Sequence, residues 1–200
     1  MGRERITNKI CYLDLETTGL NPVRNGIHQI AGIIEIAGEV KERFDIRLQP
    51  RKGSLIDTGV LEKSGVTERD IMRYMPTKKG LETFIGVLDT YIDIYDKYDK
   101  FFLCGYNVGP FDSIFIRELF ARMQFKSYPG YFYPGTLDVM VLAAQYYSEY
   151  SNMPPNFKLH TICRDFNIPI DTDQLHNAAY DIGRTRLLHK QLTYIHNDLL

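Results

Sequence analysis

The chain has 200 residues, of which 44% are hydrophobic and 24% are charged, and its formal net charge is −1 at pH 7. This size and apolar content predict a single domain over residues 1–200, with a core of about 8–195. A net charge near zero provides no long-range attraction to nucleic acid, which argues against a protein that coats a duplex. It does not exclude an enzyme that holds one end of a strand.

The three cysteines predict neither a disulfide framework nor a zinc site. The number of cysteines is odd, and none of Cys11, Cys104 and Cys163 belongs to a C-x-x-C pair. Cys11 and Cys104 lie in apolar runs typical of a core. Residues 1–10 are polar and charged, unlike a signal peptide, and no apolar run is long enough to span a bilayer. We therefore expect a cytoplasmic protein without a membrane partner.

The first part of the chain predicts three strands. The runs that indicate them are residues 9–15, 27–36 and 40–48. The first two are apolar enough to be buried within a sheet. In the third, Phe44, Ile46 and Leu48 alternate with charged residues, which predicts a half-exposed antiparallel strand near the edge of the sheet. Residues 50–65 predict a loop with short helical turns at most.

The rest of the chain predicts helices that alternate with short strands. Apolar spacing and capping signals indicate helices at residues 77–95, 111–125, 137–150, 159–166 and 177–194. Thr136 is the predicted N-cap of the third of these helices. Short strands are predicted at 101–106 and 131–135. A hairpin followed by alternating strands and helices predicts an α/β fold with a mixed sheet between helices.

Two carboxylates lie at the end of the first predicted strand. Side chains alternate along a strand, so Asp14 and Glu16 point to the same face, where two like charges repel. A cation would turn that repulsion into binding, and carboxylate oxygens suit hard ions such as Mg²⁺ or Mn²⁺. Taken alone, the same pair also fits a solvated strand end.

Two later stretches add three more polar residues. GYNVGPFD, residues 105–112, follows an apolar run and brings Asp112 to a helix start, and HNAAYD, residues 176–181, opens the last helix with His176 and Asp181. With the first pair, this ordered set resembles the DEDDh (DnaQ-like) 3′–5′ exonucleases of the ribonuclease H-like superfamily. In the sister DEDDy branch a Tyr lies four residues before the last Asp, where this chain has Asn177.

The resemblance implies two divalent cations, Mg²⁺ or Mn²⁺, held by the four carboxylates. Such a pair of ions activates a water and stabilises the leaving 3′ oxygen. Asp14 would contact both ions, and Glu16 and Asp181 would hold the one beside the attacking water. Asp112 would hold the other. His176 would be the general base, because an imidazole with a pKa of about 6.5 accepts a proton near neutral pH.

The resemblance also implies contacts to the substrate. The expected floor for the terminal nucleotide, offering N–H groups and hydroxyls, consists of Thr17, Thr18, Gly19 and Leu20. Leu20 either wedges beside the last base or is an ordinary turn residue. Asn107 is expected to tie its strand to the substrate loop, and Phe111 either stacks on a base or packs in the core.

Three features depart from the pattern of the proofreading subunits. Tyr106 stands where many family members have His, Ser64 stands where they often have His, and the gap between Asn107 and Phe111 has one additional residue. The five catalytic positions are intact, so hydrolysis is still expected. Among family members, the motifs remain most similar to the proofreading type, which is DNA polymerase III epsilon-like.

These residues predict a metal-dependent 3′–5′ exonuclease that releases nucleoside 5′-monophosphates from single-stranded ends, with DNA favoured and a role in replication or repair. An RNA-trimming enzyme of the oligoribonuclease or ribonuclease T kind is the alternative, since the motifs do not report contacts to the 2′-hydroxyl. A non-catalytic module that binds nucleic acid or a polymerase is a third reading. A DNA polymerase is a candidate partner, monomer and homodimer are both open, and the aromatic residues 128–133 suit an interface or a lid.

Overall fold

The computed structural model describes residues 8–125, 128–149, 152–174 and 177–198. Within these ranges the chain forms a five-stranded mixed sheet with helices on both faces. The strands are β1 (Lys9–Thr17), β2 (Ile27–Ile36), β3 (Glu39–Arg47), β4 (Phe101–Gly105) and β5 (Phe132–Asp138). Their order across the sheet is β3-β2-β1-β4-β5, with β2 antiparallel to both β1 and β3, and β4 parallel to both β1 and β5.

The helices divide into two layers. They are α1 (Thr58–Lys63), α2 (Glu68–Ile71), α3 (Thr77–Asp89), α4 (Asp112–Arg122), α5 (Tyr128–Tyr131), α6 (Val139–Ser148), α7 (Leu159–Asp165) and α8 (Ala178–Asp198), with a 3-10 turn at Thr172–Gln174. α3 and α4 pack on one face of the sheet, and α6, α7 and α8 pack on the other. In the part of the chain described, none of the helices combines the length and the apolar character needed to cross a membrane.

The alternation of β1 separates the two cores. Cys11, Leu13 and Leu15 are buried in the core beneath α3 and α4, whereas Tyr12 is buried in the core beneath α6, α7 and α8. Asp14 and Glu16 continue the face of Tyr12. The prediction that these two carboxylates share a face is therefore confirmed, and that face is the one covered by α8.

The α/β class and the mixed sheet are confirmed, and β3 lies at an edge of the sheet as predicted. β1 extends beyond the predicted end at Leu15, because β2 continues to pair with it through Glu16↔Gln29 and, after a register shift, Thr17↔Ile27. The extra length places Glu16 on a hydrogen-bonded strand rather than in a loop, which restricts where its carboxylate can point.

The predicted start of the third long helix is wrong. Thr136 and Leu137 lie in β5, where they pair with Leu103 and Cys104 of β4. The N-cap of α6 is Asp138, whose side chain accepts a hydrogen bond from the Met140 N–H. A Thr before a helical run is a valid capping signal, but here the neighbouring strand keeps it extended.

Two further expectations are corrected. The helix predicted for residues 77–95 ends at Asp89, and tight turns follow in which Asp93 and Asp96 accept hydrogen bonds from N–H groups two residues on. Within residues 128–133, Tyr128, Tyr131 and Phe132 are at most 6% exposed and belong to the core, so these three rings are not available to an interface or a lid.

Candidate active site

Acidic side chains from three elements meet at the end of β1. Asp14 and Glu16 come from β1, Asp112 is the first residue of α4, and Asp181 lies in the first turn of α8. Burial raises the pKa of Asp14 well above its ordinary value, and the charges of Asp112, Glu16 and Asp181 raise it further. The other three predicted carboxylates are therefore close enough to Asp14 to repel it.

Within this group of acidic residues, the Glu16 carboxylate is held by a hydrogen bond from the Ser64 hydroxyl. Burial raises the pKa of Glu16 to about 7, a hydrogen bond from Ser64 opposes the rise, and the charge of Asp181 adds to it. The Ser64 Oγ donates to Glu16 Oε2 at 2.5 Å. Ser64 follows α1, so the α1 segment forms one wall of the site. The residue that departs from the family pattern contacts a predicted metal ligand directly.

Asp112 is fixed by the backbone of β1. β4 pairs with β1 only as far as Tyr12↔Cys104, so the N–H of Leu15 needs another acceptor, and it donates to Asp112 Oδ1 at 3.0 Å. Burial raises the pKa of Asp112, backbone N–H groups including that of Leu15 oppose the rise, and the charges of Asp138 and Glu16 add to it.

The four carboxylates fit hard divalent cations by the chemistry of their donors. They offer only oxygen, and burial together with neighbouring negative charges raises the pKa values of Asp14, Glu16 and Asp112. As they stand, no three acidic, His or Cys side chains among the described residues are close enough together to hold an ion. Instead, the Leu15 N–H donates a hydrogen bond to Asp112, and the Ser64 hydroxyl donates one to Glu16.

Asp138 organises the loop that leads into α4. Its carboxylate accepts hydrogen bonds from the N–H groups of Asn107 and Gly109, both at 3.0 Å, as well as from the first turn of α6. Asn107 has φ +60°, in the left-handed region that Asn tolerates. Sequence reasoning missed Asp138. Its position directly before an apolar helical run is a capping signal that could have identified it.

The predicted floor of the site is rigid and largely occupied with its own hydrogen bonds. The Thr18 hydroxyl donates to Leu55 O and accepts from Gly26 N–H, and the Thr18 N–H donates to Gly26 O. The side-chain amide of Asn25 donates to Thr18 O and Leu55 O. A Cβ on Gly19 would lie 2.4 Å from that amide nitrogen, so only glycine fits there.

Leu20 is the exposed residue of this floor. Its side chain is 76% exposed, whereas Thr17 and Thr18 are at most 4% exposed and the Thr17 hydroxyl donates to Gly19 O. The hydroxyls that the sequence assigns to substrate contact thus stabilise the turn. Asn25 and Leu55, which sequence reasoning missed, hold the turn in place and leave Leu20 projecting.

Two of the four acidic residues line a cleft of about 450 Å³. Asp14, Asp181 and Asn107 line one part of it, and Tyr106, Met140 and residues 157–160 line the rest. Phe111 is not among the lining residues; its ring lies 5.0 Å from that of Phe115 and packs against the core. Of the two readings of Phe111, the contacts favour core packing.

The predicted base, His176, lies outside the described residues. α8 begins two positions later at Ala178. The position of α8 relative to the sheet is set by a buried ion pair, because Glu35 of β2 accepts from the Arg186 guanidinium at 2.6 Å and contacts the Lys190 ammonium at 3.1 Å.

Asp14→Asn is expected to stabilise the protein in EDTA at pH 8. The folded state retains a proton on Asp14 that the unfolded chain has lost, because the folded pKa is raised. Stability therefore falls as the pH rises from the ordinary Asp pKa of about 4 toward the raised value. Asparagine removes this loss. The melting temperature of the variant minus that of the wild type should be small at pH 4 and positive at pH 8.

Asp173→Asn, in the exposed 3-10 turn, is the matched control and should show no such trend. Excess Mg²⁺ should raise the melting temperature of the wild type more at pH 8 than at pH 5, since a cation favours the ionised carboxylates. A variant less stable than the wild type at pH 8 in EDTA would contradict a repulsive cluster.

Comparison with known proteins places this geometry in a family. A family model described as RNase_T, Exonuclease, matches residues 11–187. Ribonuclease T of Marinobacter nauticus is 26% identical over 184 residues, which cover 86% of this chain and 76% of that protein. The PolC-type DNA polymerase III of Bacillus subtilis is 25% identical over 178 residues, which cover 88% of this chain but 11% of the polymerase.

Among solved structures, E. coli exonuclease I in complex with a dT13 oligonucleotide superposes with a TM-score of 0.74 at 18% identity, over 92% of this chain and 41% of that one. This likeness shows the shared fold, which is that of the ribonuclease H-like exonucleases. With nearly the whole chain matched by the family model, the protein belongs to this exonuclease family and carries a 3′–5′ exonuclease domain of the DEDD type.

Proposed function

We propose that this protein is a metal-dependent 3′–5′ exonuclease that acts on single-stranded DNA and releases nucleoside 5′-monophosphates. The observation that carries the proposal is the approach of Glu16, Asp112 and Asp181, from three separate elements, to Asp14, which lines a cleft together with Asp181. A structural role does not account for Asp14 beside three carboxylates that repel it, since each raises the electrostatic cost of folding unless a cation is bound.

In this proposal the four carboxylates hold two divalent cations, Mg²⁺ or Mn²⁺. When bound, such ions lower the pKa of water and stabilise negative charge on the leaving oxygen. The protein's own contribution is to fix the carboxylates before the ions arrive. The Leu15 N–H does this for Asp112, and the Ser64 hydroxyl does it for Glu16.

His176 is proposed to accept the proton of the attacking water. The water oxygen forms a bond to phosphorus, the bond from phosphorus to the 3′ oxygen of the preceding nucleotide breaks, and that oxygen takes up a proton. The products are a nucleoside 5′-monophosphate and a strand shortened by one nucleotide with a new 3′ hydroxyl. The support for His176 is its spacing of five residues from Asp181 in the sequence.

The restriction to strand ends is attributed to the floor of the site. The turn from Thr17 to Leu20 is held by Asn25 and Leu55, so it cannot move aside to let a strand continue past the acidic residues. We propose that the terminal nucleotide rests against Leu20, whose exposed side chain offers an apolar surface to the last base.

DNA is the proposed substrate, and RNA is the alternative. The PolC-type relatives are DNA polymerases, and the matched segment is 11% of the Bacillus subtilis chain, which supports a DNA substrate and a DNA polymerase as the class of partner. The ribonuclease T relative is named for RNA and keeps the alternative open. A reducing compartment such as the cytoplasm is also proposed, because Cys11, Cys104 and Cys163 are buried free thiols.

The test uses 5′-labelled single strands of DNA and RNA with the same sequence, and a closed circular single strand of DNA. With Mg²⁺ or Mn²⁺ we expect a ladder of products shortened from the 3′ end and mononucleotides, with higher kcat/KM on DNA. EDTA should abolish the activity. Cleavage of the circle would contradict an exonuclease, and a higher kcat/KM on RNA would favour the alternative substrate.

Asp181→Asn and His176→Gln are expected to lower kcat by at least about a hundredfold, because each removes a metal ligand or the proton acceptor. Asp173→Asn makes the same charge change as the first variant in an exposed turn and should retain the wild-type rate. Single-turnover hydrolysis of a labelled DNA strand measures the effect. Wild-type rates in both site variants would leave the protein as a binding module.

Ser64→Ala is expected to raise the Mg²⁺ concentration that gives half-maximal activity by about tenfold, as is common when a partner of a metal ligand is removed. The reason is that Glu16 loses the hydrogen bond that orients it and keeps its pKa from rising further. Ser148→Ala, on the exposed end of α6, is the control. An unchanged Mg²⁺ dependence in Ser64→Ala would show that this contact has no influence on the metal site.

A further inference from the structure

The cleft at the acidic site extends to the start of α7. Asp14 and Asp181 line one part, and Phe157, Lys158 and His160 line another. His160 also lines a second cavity, of about 650 Å³, which continues along α7 past Thr161 and Arg164. Both volumes fall in the range of about 300–1,000 Å³ that is typical of ligand sites. The two cavities together form a path that leads away from the carboxylates.

The charge along this path changes sign. Asp14 and Asp181 lie at its beginning, Lys158 follows, and Arg164 lies beyond it next to Asp165, whose carboxylate accepts a hydrogen bond from the Tyr147 hydroxyl. Lys158 is exposed, and it takes part in none of the ion pairs found within the described ranges. An unpaired ammonium beside a cleft is suited to a phosphate, whose charge the acidic end alone would repel.

Aromatic and apolar surfaces lie between these charges. Phe157 and Met140 are half-buried and line the same cleft. Tyr106 donates a hydrogen bond from its hydroxyl to Phe157 O at 2.7 Å, which ties this wall to the end of β4 beside Asn107. Bases stack on such surfaces without sequence preference, whereas phosphates bind the cations alongside.

The rest of the strand has one direction available to it. A 3′ end held against Leu20 has no nucleotide beyond it, so the remainder of the strand must leave on the other side of the carboxylates. Asp14 and Asp181 line the cleft toward α7, whereas Leu20 does not. We propose that Lys158, with Arg164 farther along, binds phosphates of the nucleotides upstream of the bond that is cut. This inference rests on the proposed function and names the part of the protein that holds the substrate chain.

The experiment compares a dinucleotide, which contains only the bond to be cut, with a ten-nucleotide single strand of DNA. The wild type should have a higher kcat/KM on the longer substrate. In Lys158→Gln the ratio of the two kcat/KM values should fall by roughly fivefold, because a phosphate contact that only the longer strand can make is lost. Lys158→Arg keeps the charge and should restore the ratio.

Lys79→Gln is the matched control. Lys79 is an exposed residue of α3, on the opposite face of the sheet from α7, and its variant should keep the wild-type ratio. Arg164→Gln should lower the rate on the ten-nucleotide strand but not on a trinucleotide, since Arg164 lies in the second cavity. Equal ratios in Lys158→Gln and Lys79→Gln would overturn the proposal.

Binding provides a readout that does not depend on turnover. Fluorescence anisotropy of a labelled ten-nucleotide strand with 3′-terminal phosphorothioate linkages, in Ca²⁺, gives the dependence of affinity on salt. The slope of log K against log[salt] should be shallower by about 0.7 in Lys158→Gln, the value for one phosphate contact on a single strand. A slope equal to that of Lys79→Gln would refute the contact. A wild type that binds the ten-nucleotide strand but, with Mg²⁺, hydrolyses neither that strand without phosphorothioates nor the dinucleotide would instead refute the proposed function.

Discussion

Repulsion between Asp14 and three neighbouring carboxylates is the constraint on which the rest of this structure depends. Asp14 carries the largest share, since burial and three neighbouring charges all oppose its ionisation. Two of the acidic residues are held by contacts made elsewhere: Asp112 by the Leu15 N–H, and Glu16 by the Ser64 hydroxyl. The fold thereby holds like charges together as a site for cations, although this lowers its stability. Such a conflict between stability and function is common at functional sites.

Local periodicity predicted those features that depend on one strand alone. Alternation placed Asp14 and Glu16 on a shared face and placed β3 at the edge, and both are properties of a single run of residues. The end of β5 is different, because Thr136 remains in a strand only through pairing with Leu103 of β4. The prediction followed the capping signal of Thr136 and missed that of Asp138, because the pairing that keeps Thr136 extended joins residues far apart in the chain.

The family motifs identify which acidic residues form the site. They say little about the contacts that hold those residues in place. Thr18 illustrates the difference, since the sequence offers a hydroxyl for the substrate and the structure uses it on Leu55 O and Gly26 N–H. Tyr106 and Ser64 depart from the family pattern, yet one anchors the wall of the cleft and the other holds Glu16. Such supporting contacts join residues far apart in the chain and become visible only once the fold brings them together.

The overall charge of −1 hides an internal separation of charge that matters more for function. Acidic side chains gather where β1, α4 and α8 meet, and basic side chains lie along α7, on the same cleft. A strand of nucleic acid laid across this cleft would have its end among groups that require cations and its remaining phosphates among groups that supply positive charge. The charges of the acidic and basic regions cancel in the net charge of the protein. A nearly neutral protein can therefore still bind a polyanion, and the same separation of charge places the 3′ end of the nucleic acid.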